Sequence, residues 1–213
     1  MTREFFTSGR DHGITETAPR GTVQKGHIMT STLDRSARPA GQITTQDAII
    51  TRPGLRKVLA ISRIVIGFTF LWAFLDKLFG LQYSTPAENA WIDGGSPAQG
   101  FIGGIDNFAG GFFAIFQNPF GDVLFMLGLL GIGVAMIAGA GLRIAAVGGT
   151  LLMFFMWLAT FPVAGEATNP ILTSHWHEAL LLIIAALTLS GDTWGLGRWW
   201  ANTTLVQKAS WLR

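Results

Sequence analysis

The sequence predicts an all-α integral membrane protein, a bundle of four transmembrane helices with both ends in the cytoplasm. Three observations predict it. Apolar residues make up 49% of the 213 residues and charged residues only 13%, about half the charge of an ordinary soluble domain. Past residue 57 there are four apolar blocks, each long enough at about 1.5 Å per residue to cross a hydrocarbon core of roughly 30 Å. Finally, Lys and Arg fall alternately on one side and then not on the other, as they do when positive residues are retained in the cytoplasm.

Residues 1–52 are rich in Thr, Ser, Gly, Arg and Pro with almost no apolar periodicity. Such a stretch cannot bury enough surface to offset the entropy of ordering, so it is expected to be a disordered, basic, cytoplasmic tail. It has no short apolar run ending in a small-residue cleavage site, so the first apolar block is expected to stay as a helix. Met29, followed by a further polar stretch, is a candidate alternative start of translation.

A membrane domain is expected over 53–200. Its first span runs from about Val58 to Gly80, entered through Arg56 and Lys57. The second runs from about Asp122 to Gly141, the third from about Leu142 to Pro162, and the shorter fourth from about His175 to Leu189. Nine basic residues, from Arg3 to Lys57, precede the first span; Arg143 lies in the turn between the second and third; Arg198, Lys208 and Arg213 follow the fourth. Between Leu78 and Asp122 there is no Lys or Arg, but there are Glu88, Asp93 and Asp106, and the connection from 163 to 174 has only Glu166. All four spans therefore agree on both termini inside, in a bacterial cytoplasmic membrane.

The outer connection of about forty residues repeats large apolar side chains, among them Trp91, Phe101, Phe108, Phe112 and Phe116. Segments of this kind lie in the interface plane. Two or three short interfacial helices are expected, broken at Gly94-Gly95-Ser96-Pro97 and near Asn118-Pro119. In the second span Gly131, Ala135 and Gly139 stand four apart, and Ala145 and Gly149 do so in the third. Small residues at that spacing let two backbones approach, which predicts a tight antiparallel hairpin between these helices; packing alone suffices to explain them. Trp194, Trp199 and Trp200 beside Arg198 read as an interfacial anchor, ahead of a short cytoplasmic tail over 201–213.

Several residues are candidates for chemistry. Arg63 falls about one turn inside the first span, where an ionisable side chain is costly and by default functional; equally, it snorkels to headgroups or pairs with Asp192. Asp76, Lys77, His177 and Glu178 fall at one membrane depth on the outer side, with Asp122 and His175. Such a cluster could hold a quinone head group, relay protons or bind a small oxyanion; the alternative is plain interfacial contact with water and headgroups. Trp72, Phe74 and Trp157 could stack on a quinone ring, though such residues more often fill cores or face lipid. With no cysteine, thiolate metal sites, iron–sulfur clusters and cysteine nucleophiles are excluded. His175 and His177 are two apart and on a helix point to different faces, so no metal site is expected, and no haem-ligand pair, phosphate loop or nucleic-acid signature is present.

Four stretches carry a family resemblance: SRIVIGFTFLWAFLDKLFG in the first span, WIDGGSPAQGF in the outer connection, LGLLGIGVAMIAGAGLRIAAVGG through the hairpin, and LSGDTWGLGRWW after the fourth span. Over roughly residues 55–200 the chain resembles the DoxX-like membrane proteins, nearest the DoxD-like large subunits of thiosulfate:quinone oxidoreductase. The resemblance implies a four-helix bundle, a membrane quinone as electron acceptor, thiosulfate as reductant and a second, smaller subunit. Arg63, Gly67 and Lys77 match residues of that family's first helix, and Gly139, Leu142 and Arg143 match its hairpin turn. Two readings follow. In the first, the chain is a quinone-linked oxidoreductase subunit: Asp76, Lys77, His177 and Glu178 receive a small reductant, and Arg63, Trp72, Phe74 and Trp157 hold quinone. In the second it is a non-enzymatic accessory subunit of a respiratory or redox complex, or assembles with copies of itself. Small-solute transport ranks behind both, since broken helices and an internal repeat are missing.

Overall fold

The computed structural model describes residues 43–162, 169 and 171–213. The expectation of a disordered tail falls largely on 1–42, outside the described residues, as does Met29.

The described chain is all-helical. After a short α1 (Gln46–Ile49) come α2 (Pro53–Phe79), then α3 (Pro97–Gly103) and α4 (Gly110–Phe113) in the long connection, α5 (Pro119–Ala138), α6 (Leu142–Thr160), α7 (Ser174–Leu187), and the short α8 (Gly197–Ala201) and α9 (Thr204–Lys208). Helices α2, α5 and α6 are long and apolar enough to cross a membrane, which suggests a membrane protein. Helix α7 has 14 residues, about 21 Å at 1.5 Å per residue, and is too short to cross by its own length.

Local chemistry sets the ends. Helix α2 begins five residues before the expected Val58, because Pro53 at its first turn already has helical φ and lacks the N–H that would go unpaired; Arg56 and Lys57 lie within the helix. It stops at Gly80, whose φ of +61° makes a left-handed cap with its N–H on the Asp76 carbonyl. Helix α5 likewise starts with Pro119, after Asn118, whose side chain accepts from the Gly121 N–H at 3.1 Å. The outer connection forms two 3-10 turns, Ala87–Asn89 and Trp91–Asp93, then α3, then α4 running into a turn over Ala114–Phe116. The breaks fall at Gly94 and at 117–118, where the glycine and proline signals put them.

The core joins α2, α5, α6 and α7 around Ile66, Phe70, Ile132, Met136, Met153 and Leu182. Its close approaches differ from the expected ones. A Cβ on Gly67 would come within 2.8 Å of the Met136 Cβ, and one on Gly133 within 2.7 Å of the Leu71 backbone nitrogen. The glycines thus bring α2 against α5. Gly149 of α6 packs on Leu182 of α7. The tight α5–α6 hairpin is therefore corrected: Gly128 and Gly131 of α5 and Gly148 of α6 meet nothing within 4 Å and face an open groove. The turn at Gly139–Gly141 joins the helices, but their close partners are α2 and α7. The four-apart spacing identifies small faces, not which neighbour they meet.

Both flanks of the membrane domain are more ordered than expected. Gln46, inside the stretch read as tail, is buried, and its backbone N–H donates to Asp192 at 2.8 Å. The 201–213 segment also folds back: Val206 and Leu212 are buried, and the Trp200 indole donates to the Leu212 carbonyl at 3.0 Å.

Gly133→Val should lower stability by about 1–3 kcal/mol, the cost of forcing a side chain into a packed seam. Gly128→Ala, in open space, should be neutral or stabilising by about 0.5–1 kcal/mol through helix propensity. Thermal unfolding in detergent checks both; equal melting temperatures for the two variants would contradict the assigned seam.

Candidate functional site

Arg63 is the most buried charge of the described chain. Its side chain is 0% exposed, on the face of α2 that carries Gly67 and Phe70. The guanidinium donates through Nη1 to the carbonyls of Met136 and of Ile137 (2.8 Å), and through Nη2 to those of Thr193 (3.4 Å) and Trp194 (3.0 Å). The first two belong to the last turn of α5, where orphan carbonyls and the negative end of the helix dipole favour a cation. The planar fork lets one residue serve two backbone segments. Gly139 and Gly195 make room: a Cβ on either would lie 3.0 Å from a guanidinium nitrogen. Arg63 therefore neither reaches headgroups nor pairs with Asp192. Both oxygens of Asp192 instead accept from Nη2 of Arg213, at 2.9 and 2.8 Å, and the same nitrogen donates to the Thr44 carbonyl at 3.0 Å.

At the opposite end of the bundle, buried carboxylates organise backbone. Asp76 accepts from the N–H groups of Tyr83 (3.1 Å) and Ser84 (3.0 Å) and from the Ser84 hydroxyl (2.6 Å), folding the loop after α2 back on the helix end. Lys77 is half-buried and donates to the same hydroxyl at 3.2 Å. Asp122, at the start of α5, accepts from the first N–H groups of α3, those of Ala98 (2.8 Å) and Gln99 (3.2 Å), and from the Gln99 amide. It serves as a cap supplied from a distant helix.

His177 is exposed and Glu178 half-buried on α7. No hydrogen bond or ion pair joins them to Asp76 or Lys77 among the described residues. The structure thus places the four predicted residues at one end of the bundle and engages Asp76 and Lys77 with the Tyr83–Ser84 loop. His175 sits at the start of α7, its Nδ1 3.0 Å from the Thr173 hydroxyl. Among the described residues no group of three metal-ligating side chains converges.

The residues read as a quinone site are apart. Trp72 packs on Phe68 and edge-on to Tyr83, Phe74 packs against the core, and Trp157 meets Phe154, Phe161 and Trp176 while its indole donates to the Ile171 carbonyl at 2.7 Å. None of the three, nor Arg63, lines either of two apolar cavities. The first, of about 680 Å³, lies along the seam of α5 and α6. The half toward the connection between α2 and α5 is walled by Phe101, Phe113, Phe116, Phe125 and Phe155, the other half by Gly128, Gly131 and Gly148, and no polar side chain lines it. The second, of about 850 Å³, lies between α6 and α7.

Asn107 carries weight that the sequence did not signal. Its amide donates to the carbonyls of Leu158 (3.0 Å), Ala159 (3.0 Å) and Phe161 (2.8 Å), closing the end of α6 while its oxygen accepts from Ala109. Only the general need of a helix end for donors pointed toward such a residue. Protein-family models, curated proteins and solved structures offer no match to this chain.

Arg63→Met keeps the length of the side chain and removes its donors, leaving buried carbonyls of α5 and of 193–194 unpaired. It should cost at least about 2–3 kcal/mol. Arg63→Lys should recover only part, because one ammonium replaces a fork. Melting of the purified variants in detergent checks this; a wild-type melting temperature for Arg63→Met would show that the carbonyls find other partners.

Proposed function

We propose that the chain is a DoxX-like four-span protein of the bacterial cytoplasmic membrane, both termini inside, acting as a quinone-linked subunit of an oxidoreductase. Several features support the four-span topology. Helix α7 packs along α6 and is followed, after a left-handed Leu189, by a buried turn at Ser190–Gly191. Arg63 gathers the ends of α5 and of the segment after α7 at the end of the bundle that also carries Arg143, Arg198 and Arg213, as positive-inside retention requires. Glu88, Asp93 and Asp106 fall in the connection at the other end.

The observation that carries the quinone reading is the α5–α6 cavity. Its volume lies within the range of about 300–1,000 Å³ usual for small-molecule sites. Its aromatic outer half suits a ring, and its glycine-floored inner half suits an isoprenoid chain. Phe101, Phe113, Phe116 and Phe155 would hold the ring, and the Gln117 amide, which lies 3.0 Å from where a Cβ on Gly103 would stand, is a donor beside that wall. When bound, a quinone supplies a two-electron, two-proton acceptor. Trp72, Phe74 and Trp157 then serve as packing. Lys77 and His177, at the same end, offer a cation and a donor to a small oxyanion such as thiosulfate, which a small partner subunit would help to oxidise.

A second reading, a non-enzymatic accessory subunit, draws on a different observation: Arg63 spends its hydrogen bonds on backbone carbonyls, and Asp76 and Asp122 spend most of theirs on backbone N–H groups. Reductant-dependent quinone reduction in membranes with and without the protein separates the two. On the first reading, thiosulfate drives a signal that needs the protein. Gly131→Phe, which fills the cavity, and His177→Ala on the exposed face of α7 each lower it at least about tenfold with no loss of folded protein. Turnover unchanged in both variants would remove the catalytic reading, and absence of signal for every reductant would favour the accessory role.

A further inference from the structure

The α6–α7 groove differs from the α5–α6 cavity in carrying polar side chains in its lining: a cation, Arg143, at one end, Thr150 along α6, and His175 at the start of α7. Arg143, the second residue of α6, lines it together with Val147, Thr150 and Phe154 of the same helix, and Trp176 of α7 lies at the far end. The Arg143 Nη1 donates to the Trp211 carbonyl at 3.0 Å. Its Nε is shielded and without a partner among the described residues. The two acidic side chains described at this end are already taken, Asp192 by Arg213 and Asp47 by Arg198. Arg143 thus carries an uncompensated charge at the head of a groove whose walls are otherwise almost entirely apolar.

Length points to the occupant. From Arg143 to Phe154 the groove follows twelve residues of α6, eleven steps or about 16 Å at 1.5 Å per residue, which is about half of a hydrocarbon core of roughly 30 Å and so one leaflet deep. A positive charge at the membrane surface with an apolar channel one leaflet long beneath it matches a phospholipid of net negative charge: phosphate at the guanidinium, acyl chain in the groove. Basic pockets between helices hold anionic headgroups by the same physics.

We propose that the α6–α7 groove is a binding site for one anionic phospholipid, its phosphate on Arg143 and one acyl chain lying between α6 and α7 as far as Trp176. Val147, 67% exposed on the rim, sets the width of the channel. The groove and the α5–α6 cavity open on different faces of α6 and adjoin at Leu151, which lines both.

Native mass spectrometry of the full chain in detergent, titrated with phosphatidylglycerol or phosphatidylcholine, tests this. Phosphatidylglycerol should be retained preferentially. Arg143→Ala should weaken its binding about fivefold, the effect of about one Arg near a charged surface, and Arg143→Lys should keep most of it. Val147→Trp, at an exposed position that folding tolerates, should weaken it too by blocking the channel with Arg143 intact; Lys208→Ala, outside the groove, should change nothing. Equal retention of the two lipids, or phosphatidylglycerol binding indifferent to Arg143, would overturn the site. Full binding by Val147→Trp, or displacement by inorganic phosphate at equal concentration, would reduce it to a headgroup contact and overturn the acyl-chain channel.

Discussion

One guanidinium, that of Arg63, holds together the parts of the bundle that the chain itself does not join. Its four carbonyl partners come from the end of α5 and from the strand of loop at 193–194, so α2, α5 and the segment after α7 meet at a single side chain. A charge without bulk water is costly to bury. Here the cost is offset by supplying donors exactly where a helix end and a loop lack them, and by the favourable sign of the α5 dipole at its carboxyl end. The two glycines that admit it, Gly139 and Gly195, have no room for a side chain beside it.

The same logic recurs at the other end with the opposite sign. Asp76 and Asp122 are buried acceptors, and what they accept is backbone N–H from the connection between α2 and α5. Asn107 donates to the last carbonyls of α6. The outer connection is thus held by polar groups reaching across elements, while Phe113, Ala109 and Ala159 form a small apolar cluster beneath it. Of the polar residues that sequence inspection marks as candidates, Arg63, Asp76 and Asp122 are occupied in closing helix ends and loops.

The helices themselves were legible from apolar length, from proline at helix starts and from glycine at helix stops, because these act within a few residues of chain. The broken outer connection was legible for the same reason. What was not legible depends on partners distant in sequence. Gly67 of α2 meets Met136 and Ile137 of α5, and Gly133 of α5 meets Leu71 of α2, whereas the four-apart series of Gly131, Ala135 and Gly139 suggested α6 as the partner; spacing fixes a face but not its neighbour. Arg63 was visible as a costly charge, but its carbonyl acceptors leave no trace in side-chain identity. Arg213 and Gln46 looked like tail residues, since no local pattern announces a contact made with Asp192 from the far ends of the membrane domain.

The Arg63 staple also imposes an order of events on biosynthesis. The arginine lies in the first long helix, yet two of its acceptors lie at residues 193 and 194, 130 and 131 residues later in the chain. During translation the guanidinium must wait until α5, α6 and α7 have been made before these acceptors exist. Only when the last helix is in place do its acceptors arrive. Truncation before residue 193 would therefore leave the Arg63 guanidinium without its carbonyl partners at 193 and 194.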